Sequence, residues 1–331
     1  MAVTAGTSET YANTLIREDL QEAYNMISPE ETPFQQMASK KTATNTLFEW
    51  SIVELAAVDT TNRVVEGESS VANDAATLGL RLSNYTQISD KVAEVSHTAQ
   101  AVDAAAANIQ RMGKQIVLKM KEMKRDKEDM LLQNVAAVAG SSGNARTSAG
   151  LCAFLRTNTA FEAGGADPTL SGSTEGFPNA AATGGTTPVV FAEADMNTVI
   201  EECWNEGANP SVIMCNGGNK RRISETFTGN ATRYKDTIDK KIVNSIDFYS
   251  SDFGELTVVP NRFQPTIDTS NWAVYILDPE YLTIAYLDEV QQKPLAETGH
   301  SIRTLVWCEY GLQVDNEAAH GVIRDTTNAI A

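Results

Sequence analysis

Apolar residues recur at steps of three and four through Ile109, Met112, Ile116, Met120, Met123, Met130, Asn134 or Val135, and Val138. That is the spacing of an amphipathic helix with a 3.6-residue period. Residues 103–140 therefore read as one long helix, with Asp103 as N-cap and Gly140 as the residue after its C-terminus. Lys127 is the one charged position on the stripe. About 36 residues at ~1.5 Å each make a rod of roughly 50 Å, about three times the usual helix length in a globular domain. The stripe is Met-rich and keeps no strict heptad, so it predicts the backbone helix of a large domain over a coiled coil. Arg111, Lys114, Lys119, Lys121 and the charged run 124–129 interrupt any apolar stretch, which excludes a membrane span there.

Ahead of this helix, residues 1–45 are polar and Ala/Thr-rich, with one amphipathic stretch at 11–27 (Leu15, Ile16, Leu20, Tyr24, Ile27). Ser28-Pro29 and Thr32-Pro33 stop it. Such a segment cannot bury itself alone and predicts an arm that lies on something else. Residues 46–53 (TLFEWSIV) alternate as a strand, and 78–95 form a second extended run. Between them, 56–77 is a charged loop with Arg63, Glu66 and Glu68. The pattern predicts a hairpin, and by pattern alone a plain edge hairpin is favoured over one projecting from the body.

After the helix, 157–188 holds nine Gly or Pro among thirty-two residues, the composition of a loop. A loop so long is usually functional or mobile. From Phe191 the texture changes. A helix is predicted at 192–206, left at Gly207, then a buried strand at 211–215 (SVIMC) and a short basic helix at 219–227. Strands follow at 242–248, 256–259, 272–277 and 281–287, a long terminal strand pair at 301–314, and a tail at 317–331. Helix and strand mix without regular βαβ alternation, which is α+β and not a doubly wound sheet.

The 331 residues suffice for one large domain or two. The net charge of −17 argues against a nucleic-acid-binding surface as the main feature and for a soluble particle that repels its like. The charge is uneven. Residues 157–219 contain eight acidic side chains and no Lys or Arg, whereas 111–156 contain nine basic and four acidic ones. No secretory signal is expected, since residues 1–30 carry Arg17, Glu18, Asp19 and Glu22 without an apolar core. Cys152, Cys203, Cys215 and Cys308 show no CxxC spacing and read as buried free thiols of a reducing cytosol.

No catalytic constellation emerges, and no cofactor is expected. His97, His300 and His320 are far apart in sequence and lack HxH, HExxH or HxxxH partners, so they read as surface or capping residues. Asn216-Gly217-Gly218-Asn219-Lys220 opens a helix after a strand but lacks the GxxxxGK[ST] spacing of a phosphate loop, which leaves a tight turn. Cys215 before it reads as a buried strand thiol, and Glu201-Glu202 as solvated helix charge. That absence favours a structural protein.

Several motifs in order carry a family resemblance: the Phe48-Glu49-Trp50 strand, VSxTAxAVDAA at 95–105, KRDxExxLLxN at 124–134, GN-x-R-x-x-AGL at 143–151 and EYGLQVDNEAAHGVI at 309–323. Together they resemble the HK97-like major capsid proteins of tailed bacteriophages, over nearly the whole chain. The resemblance implies an α+β HK97-like fold with an N-terminal arm (1–45), an extended E-loop hairpin (46–95), and a P-domain carrying the spine helix (96–156). An insertion (157–190), an A-domain (191–297), and return strands with a C-terminal tail (298–331) complete it. It implies a virion protein, made in the host bacterial cytoplasm, that self-assembles into hexamers and pentamers of an icosahedral head around double-stranded DNA. Scaffolding, portal and cement proteins join the implied partners, with weak non-specific DNA contact and no membrane.

Relatives that weld their shells use an E-loop lysine, and residues 55–90 contain none, so no such cross-link is expected. No scaffolding extension precedes the arm, which points to a separate scaffolding protein or none. The acidic tip against the basic spine suggests Arg63, Glu66, Glu68 and Arg81 on the hairpin and Lys119, Lys121, Lys124 and Arg125 on the spine as subunit-interface residues. Another phage structural protein, a tail tube or decoration protein, and an α+β enzyme stay open as alternatives.

Overall fold

The computed structural model describes residues 7, 26–67, 76, 78–102, 111–172, 174–227, 234–235, 242–243, 247–267 and 271–327. A short helix α1 (Pro33–Met37) leads into strands β1 (Ser39–Thr42), β2 (Leu47–Ile52), β3 (Leu80–Tyr85) and β4 (Gln87–Ser96). Helices α2 (His97–Ala101) and α3 (Met112–Leu132) follow, then the short strands β5 (Thr159–Ala160), β6 (Thr169–Gly172) and β7 (Glu175–Ala180). Next come α4 (Glu193–Asn205), β8 (Val212–Cys215), α5 (Gly217–Arg222), β9 (Tyr234–Lys235), β10 (Ile242–Val243), β11 (Phe248–Ser251) and β12 (Gly254–Pro260). The chain ends through β13 (Trp272–Leu277), β14 (Leu282–Pro294), β15 (Ser301–Val314) and β16 (Gly321–Thr326).

Two compact units divide the chain. The first comprises Met1–Pro29, Lys91–Lys121 and Gln292–Val306. Within it, the His97 N–H donates to the His300 carbonyl (3.3 Å), and Glu94 takes both the Ser301 hydroxyl (2.7 Å) and Arg303 (3.5 Å). The second comprises Glu30–Asp90, Glu122–Gln291 and Trp307–Ala331. Its main core lies between α4 and a six-stranded sheet of order β11-β12-β8-β13-β16-β5. Helix α4 forms because Met196, Val199, Ile200 and Cys203 share one buried face, and Gly207 (φ +93°) releases the chain beyond it. That face packs on Ile213, Cys215, Val274, Ile276 and Ile323, alternate residues of three adjacent strands.

A sheet of order β2-β3-β7-β6 carries the predicted hairpin, with β2 and β3 antiparallel in the register Leu47↔Tyr85 to Ile52↔Leu80. The hairpin ends at Tyr85, because β4 belongs to another sheet, of order β1-β14-β15-β4.

Four expectations are corrected. The long helix ends at Leu132, not Gly140. There the Tyr275 hydroxyl donates to the Leu132 carbonyl (3.2 Å), and Asn134 exchanges hydrogen bonds with the Ala182 backbone (2.6 and 3.0 Å). These groups take the backbone out of the helical ladder although Val135 and Val138 continue its period. Gly140 has φ +74° in the turn beyond. The expected start at Asp103 lies outside the described residues, as do Glu68 and all but the last two residues of the amphipathic stretch 11–27.

The expected loop 157–188 contains β5, and its β6–β7 hairpin joins the β2–β3 sheet through Leu82↔Gly176. Residues 301–314 form one continuous strand and not a pair. The expected tail contains β16, whose six residues are all buried between β13 and β5. Residues 26–32 are non-helical, consistent with the stops at Pro29 and Pro33, and Pro33 itself opens α1 at a position where its missing N–H costs nothing.

Candidate assembly surfaces

The β2–β3 hairpin is fixed at its root and open at its tip. Asn84 is fully buried at the root. Its amide donates to the carbonyls of Leu312 (2.7 Å) and Ala149 (3.3 Å) and to the Ser148 hydroxyl (3.1 Å). Its side-chain oxygen accepts the N–H groups of Tyr85 (2.8 Å) and Ala149 (2.9 Å). Arg146 donates to the Thr86 carbonyl (2.7 Å) and pairs with Glu309, which also accepts the Thr86 hydroxyl (2.6 Å).

Two glycines permit this closeness. A Cβ on Gly150 would sit 2.0 Å from the Gln133 carbonyl oxygen, and one on Gly311 would sit 2.5 Å from the Phe48 ring. The segments 143–151 and 309–323, singled out in the sequence as motifs, thus hold the residues that anchor the hairpin. The insertion braces the same corner: Ala137 N–H donates to the Pro178 carbonyl (2.8 Å), and the Phe177 ring meets Tyr85 edge-on at 5.2 Å.

Beyond the root, Leu55 and Val58 are about nine-tenths exposed, and Val53, Val64, Val65 and Leu78 are also exposed. So many large apolar side chains exposed on one loop and its flanks suit an interaction surface. Arg63 and Glu66 are exposed on the same loop. Arg81 is spoken for within its own chain, 3.3 Å from Glu49 across the hairpin, with both side chains solvent-facing.

On the spine, Lys119 and Lys121 are half-buried in the first unit. In the second unit, Lys124 is exposed, and Arg125 is half-buried with its guanidinium 5.2 Å over the Phe263 ring. Of the eight, Lys124 and Arg125 are neighbours on α3, and Glu68 lies outside the described residues.

The segment that opens α1 is clasped by a carboxylate that stands in the 124–134 motif but had no role assigned from sequence. Glu128 is fully buried. One oxygen accepts the Phe34 N–H (2.8 Å) and the Asn261 amide (2.8 Å); the other accepts the Gln35 N–H (3.1 Å) and the Gln35 amide (2.9 Å). The adjacent Lys127 is buried as its stripe position predicts, donating to the Tyr286 hydroxyl (2.7 Å), and desolvation lowers its pKa. Glu317 stood in the 309–323 motif without a role, and Arg324 and Asp325 were passed over. Glu317 accepts the backbone N–H groups of Arg156 and Thr157 (both 3.2 Å), Arg324 pairs with Asp167, and Asp325 accepts the Asn271 amide (3.1 Å).

Of the three histidines, only His320 needs correction. His320 is buried, with the Asp278 N–H donated to its Nδ1 (3.2 Å), and desolvation pulls its pKa down to about 4. His97 and His300 lie at the surface as expected, with their rings 4.9 Å apart. All four cysteines are buried free thiols, and burial pushes Cys215 up to about 12, so it is no nucleophile. Residues 216–220 form a capped turn in which the Asn216 side chain accepts the Asn219 N–H (2.9 Å). Among the described residues, no helix is long and apolar enough to cross a membrane.

A family model described as SU10 major capsid protein matches residues 3–327. The major capsid protein of Escherichia phage Phieco32 is 26% identical over 336 residues, covering 93% of each chain. Among solved structures, a capsid chain of the native GTA particle, computed with C5 symmetry, superposes with a TM-score of 0.63 at 13% identity, over 98% of this chain and 100% of that one. A chain from Mycobacterium phage Adephagia gives 0.60 at 10% identity, over 99% and 100%.

Proposed function

This chain belongs to the SU10 major capsid protein family, and on that premise we propose that its copies form the hexamers and pentamers of an icosahedral head enclosing double-stranded DNA. Membership makes it a structural virion protein with the HK97-like α+β fold that assembles into a capsid shell with itself, not an enzyme. The observation that carries the hexamer and pentamer reading is the hairpin: anchored by Asn84 and Arg146, it holds Leu55 and Val58 out in solvent. A rigid root with an apolar tip suits a segment completed by a neighbouring subunit, because burying those side chains returns about 25 cal/mol per Å².

In this reading residues 1–45 are the arm, 46–95 the E-loop, 96–156 with 298–331 the P-domain, 157–190 an insertion and 191–297 the A-domain. Glu66 and Glu68 pair with Lys119, Lys121, Lys124 and Arg125 of an adjacent copy, and Arg63 and Arg81 lie at the same interface, Arg81 keeping its own Glu49. Scaffolding, portal and cement proteins complete the particle, and DNA contacts are weak and non-specific, as the net charge of −17 requires. Replacing Leu55 and Val58 together by Asp tests the tip. Subunits of unchanged melting temperature that no longer form shells are expected, and shells at parental yield would refute the assignment.

A further inference from the structure

Three surfaces stand outside this account: the His97–His300 pair, the small cavity beside Arg324, and an aromatic face on α4. The third carries furthest. Trp204, near the end of α4, is half exposed, and its ring lies 5.3 Å from that of Phe253 in the β11–β12 turn. Phe248 is exposed on β11. An open pocket of about 390 Å³ beside them is lined by Glu201, Tyr249, Asp252 and Phe253 among others. The Tyr249 hydroxyl donates to Glu193 (2.9 Å), which ties the strand to the helix and fixes the wall.

The charge around these rings is one-sided. Residues 193–207 and 248–260 together carry seven carboxylates and no Lys or Arg. Aromatic faces ringed by carboxylates attract cations through the ring quadrupole and through ion pairing.

We propose that this acidic aromatic face is a contact between copies of the chain, seating Lys or Arg side chains of the adjacent copy. The inference rests on the reading that copies assemble into a shell. Glu201 and Asp252 line the pocket and Glu193 binds Tyr249 beside it, so a two-fold contact of this face with itself would set like charges against each other. A head-to-tail contact between two different patches remains, the kind that closes into a ring. The same chain supplies cations for it at the start of α3, where Arg111 and Lys114 are exposed and stand outside the spine set paired with the loop.

Acrylamide quenching of parent and Trp204→Phe protein, by difference, reports the accessibility of Trp204 in unassembled subunits and in shells. A several-fold fall in Trp204 quenching on assembly is expected. The double variant Glu201→Lys with Asp252→Lys should melt like the parent as a subunit and give fewer shells. Shells in which Trp204 stays fully quenchable overturn the proposal and leave the capsid reading intact. Protection that appears only when another virion protein is added overturns it as well, by naming a different occupant. Absence of shells from the parent under every condition is a distinct result, and overturns the capsid reading on which the proposal rests.

Discussion

Replacing Glu128 by Gln keeps the size of the side chain and changes only what it can accept. Each carboxylate oxygen takes two N–H donors, from Phe34 and Asn261 on one side and from Gln35 twice on the other. Turning either oxygen into an NH₂ group strands two donors against a third, whichever way the amide points. Hydrogen bonds to a charged group contribute about 1.5–3 kcal/mol each, so the arm should lose about 3 kcal/mol or more of docking free energy. Neutralisation also removes the negative charge beside buried Lys127, which desolvation already disfavours.

The assay is tryptic cleavage at Lys40 and Lys41 in unassembled subunits, where β1 pairs with β14 and must detach to be cut. When reclosing is fast, the cleavage rate follows the open population, and 3 kcal/mol corresponds to roughly a 100-fold increase. A change below about 5-fold would mean that β1 pairing and Phe34 burial hold the arm without the carboxylate, and would refute the reasoning.

The remaining predictions are local. Gly150→Ala forces a Cβ to within 2.0 Å of the Gln133 carbonyl, so the segment after α3 must shift. A loss of about 1–3 kcal/mol in urea unfolding is expected, and parental stability would contradict the close approach. His320 is neutral in the folded chain down to about pH 4, whereas the unfolded chain takes up its proton near 6.5. Its contribution is complete above pH 6.5 and falls as pH drops towards 4, by about 1.4 kcal/mol per unit and about 3 kcal/mol in all. The pH–stability profile of His320→Gln should be flatter over that window, and parallel profiles would refute the assignment. Because residues 55–90 contain no lysine, boiled shells should run in SDS as one band of the unlinked chain. A ladder of multimers would overturn that.

Elements whose signals are local were legible in the sequence. Helix α4 announces itself by the spacing of Met196, Val199, Ile200 and Cys203 and by Gly207, and β8 by an apolar run of strand length. The hairpin strands showed the alternation of Phe48 and Trp50. What misled at the end of α3 and at β16 was a partner distant in sequence. The end of α3 is decided by Tyr275 and Ala182, more than 45 residues away, against a helical pattern that runs on to Val138.

Strand β16 looked like a tail because it contains Arg324 and Asp325, and their burial depends on Asp167 in the insertion and on Asn271. The insertion looked like a loop because its strands are short and rich in Gly and Pro, with register shifts between β6 and β7. Glu128 stood in the 124–134 motif, but its role was not legible, since its donors come from positions 34, 35 and 261. Of the candidate interface residues, charge pattern found the exposed Arg63 and Glu66 but could not foresee that Arg81 is engaged by Glu49.

The central claim is that one polypeptide closes into a shell by completing its arm and hairpin on neighbouring copies. Negative-stain electron microscopy with sedimentation, on the protein expressed alone and with its neighbouring genes, tests that claim most directly. The account predicts closed shells, or free hexamers and pentamers, built of this chain. A monodisperse monomer under every condition would contradict it.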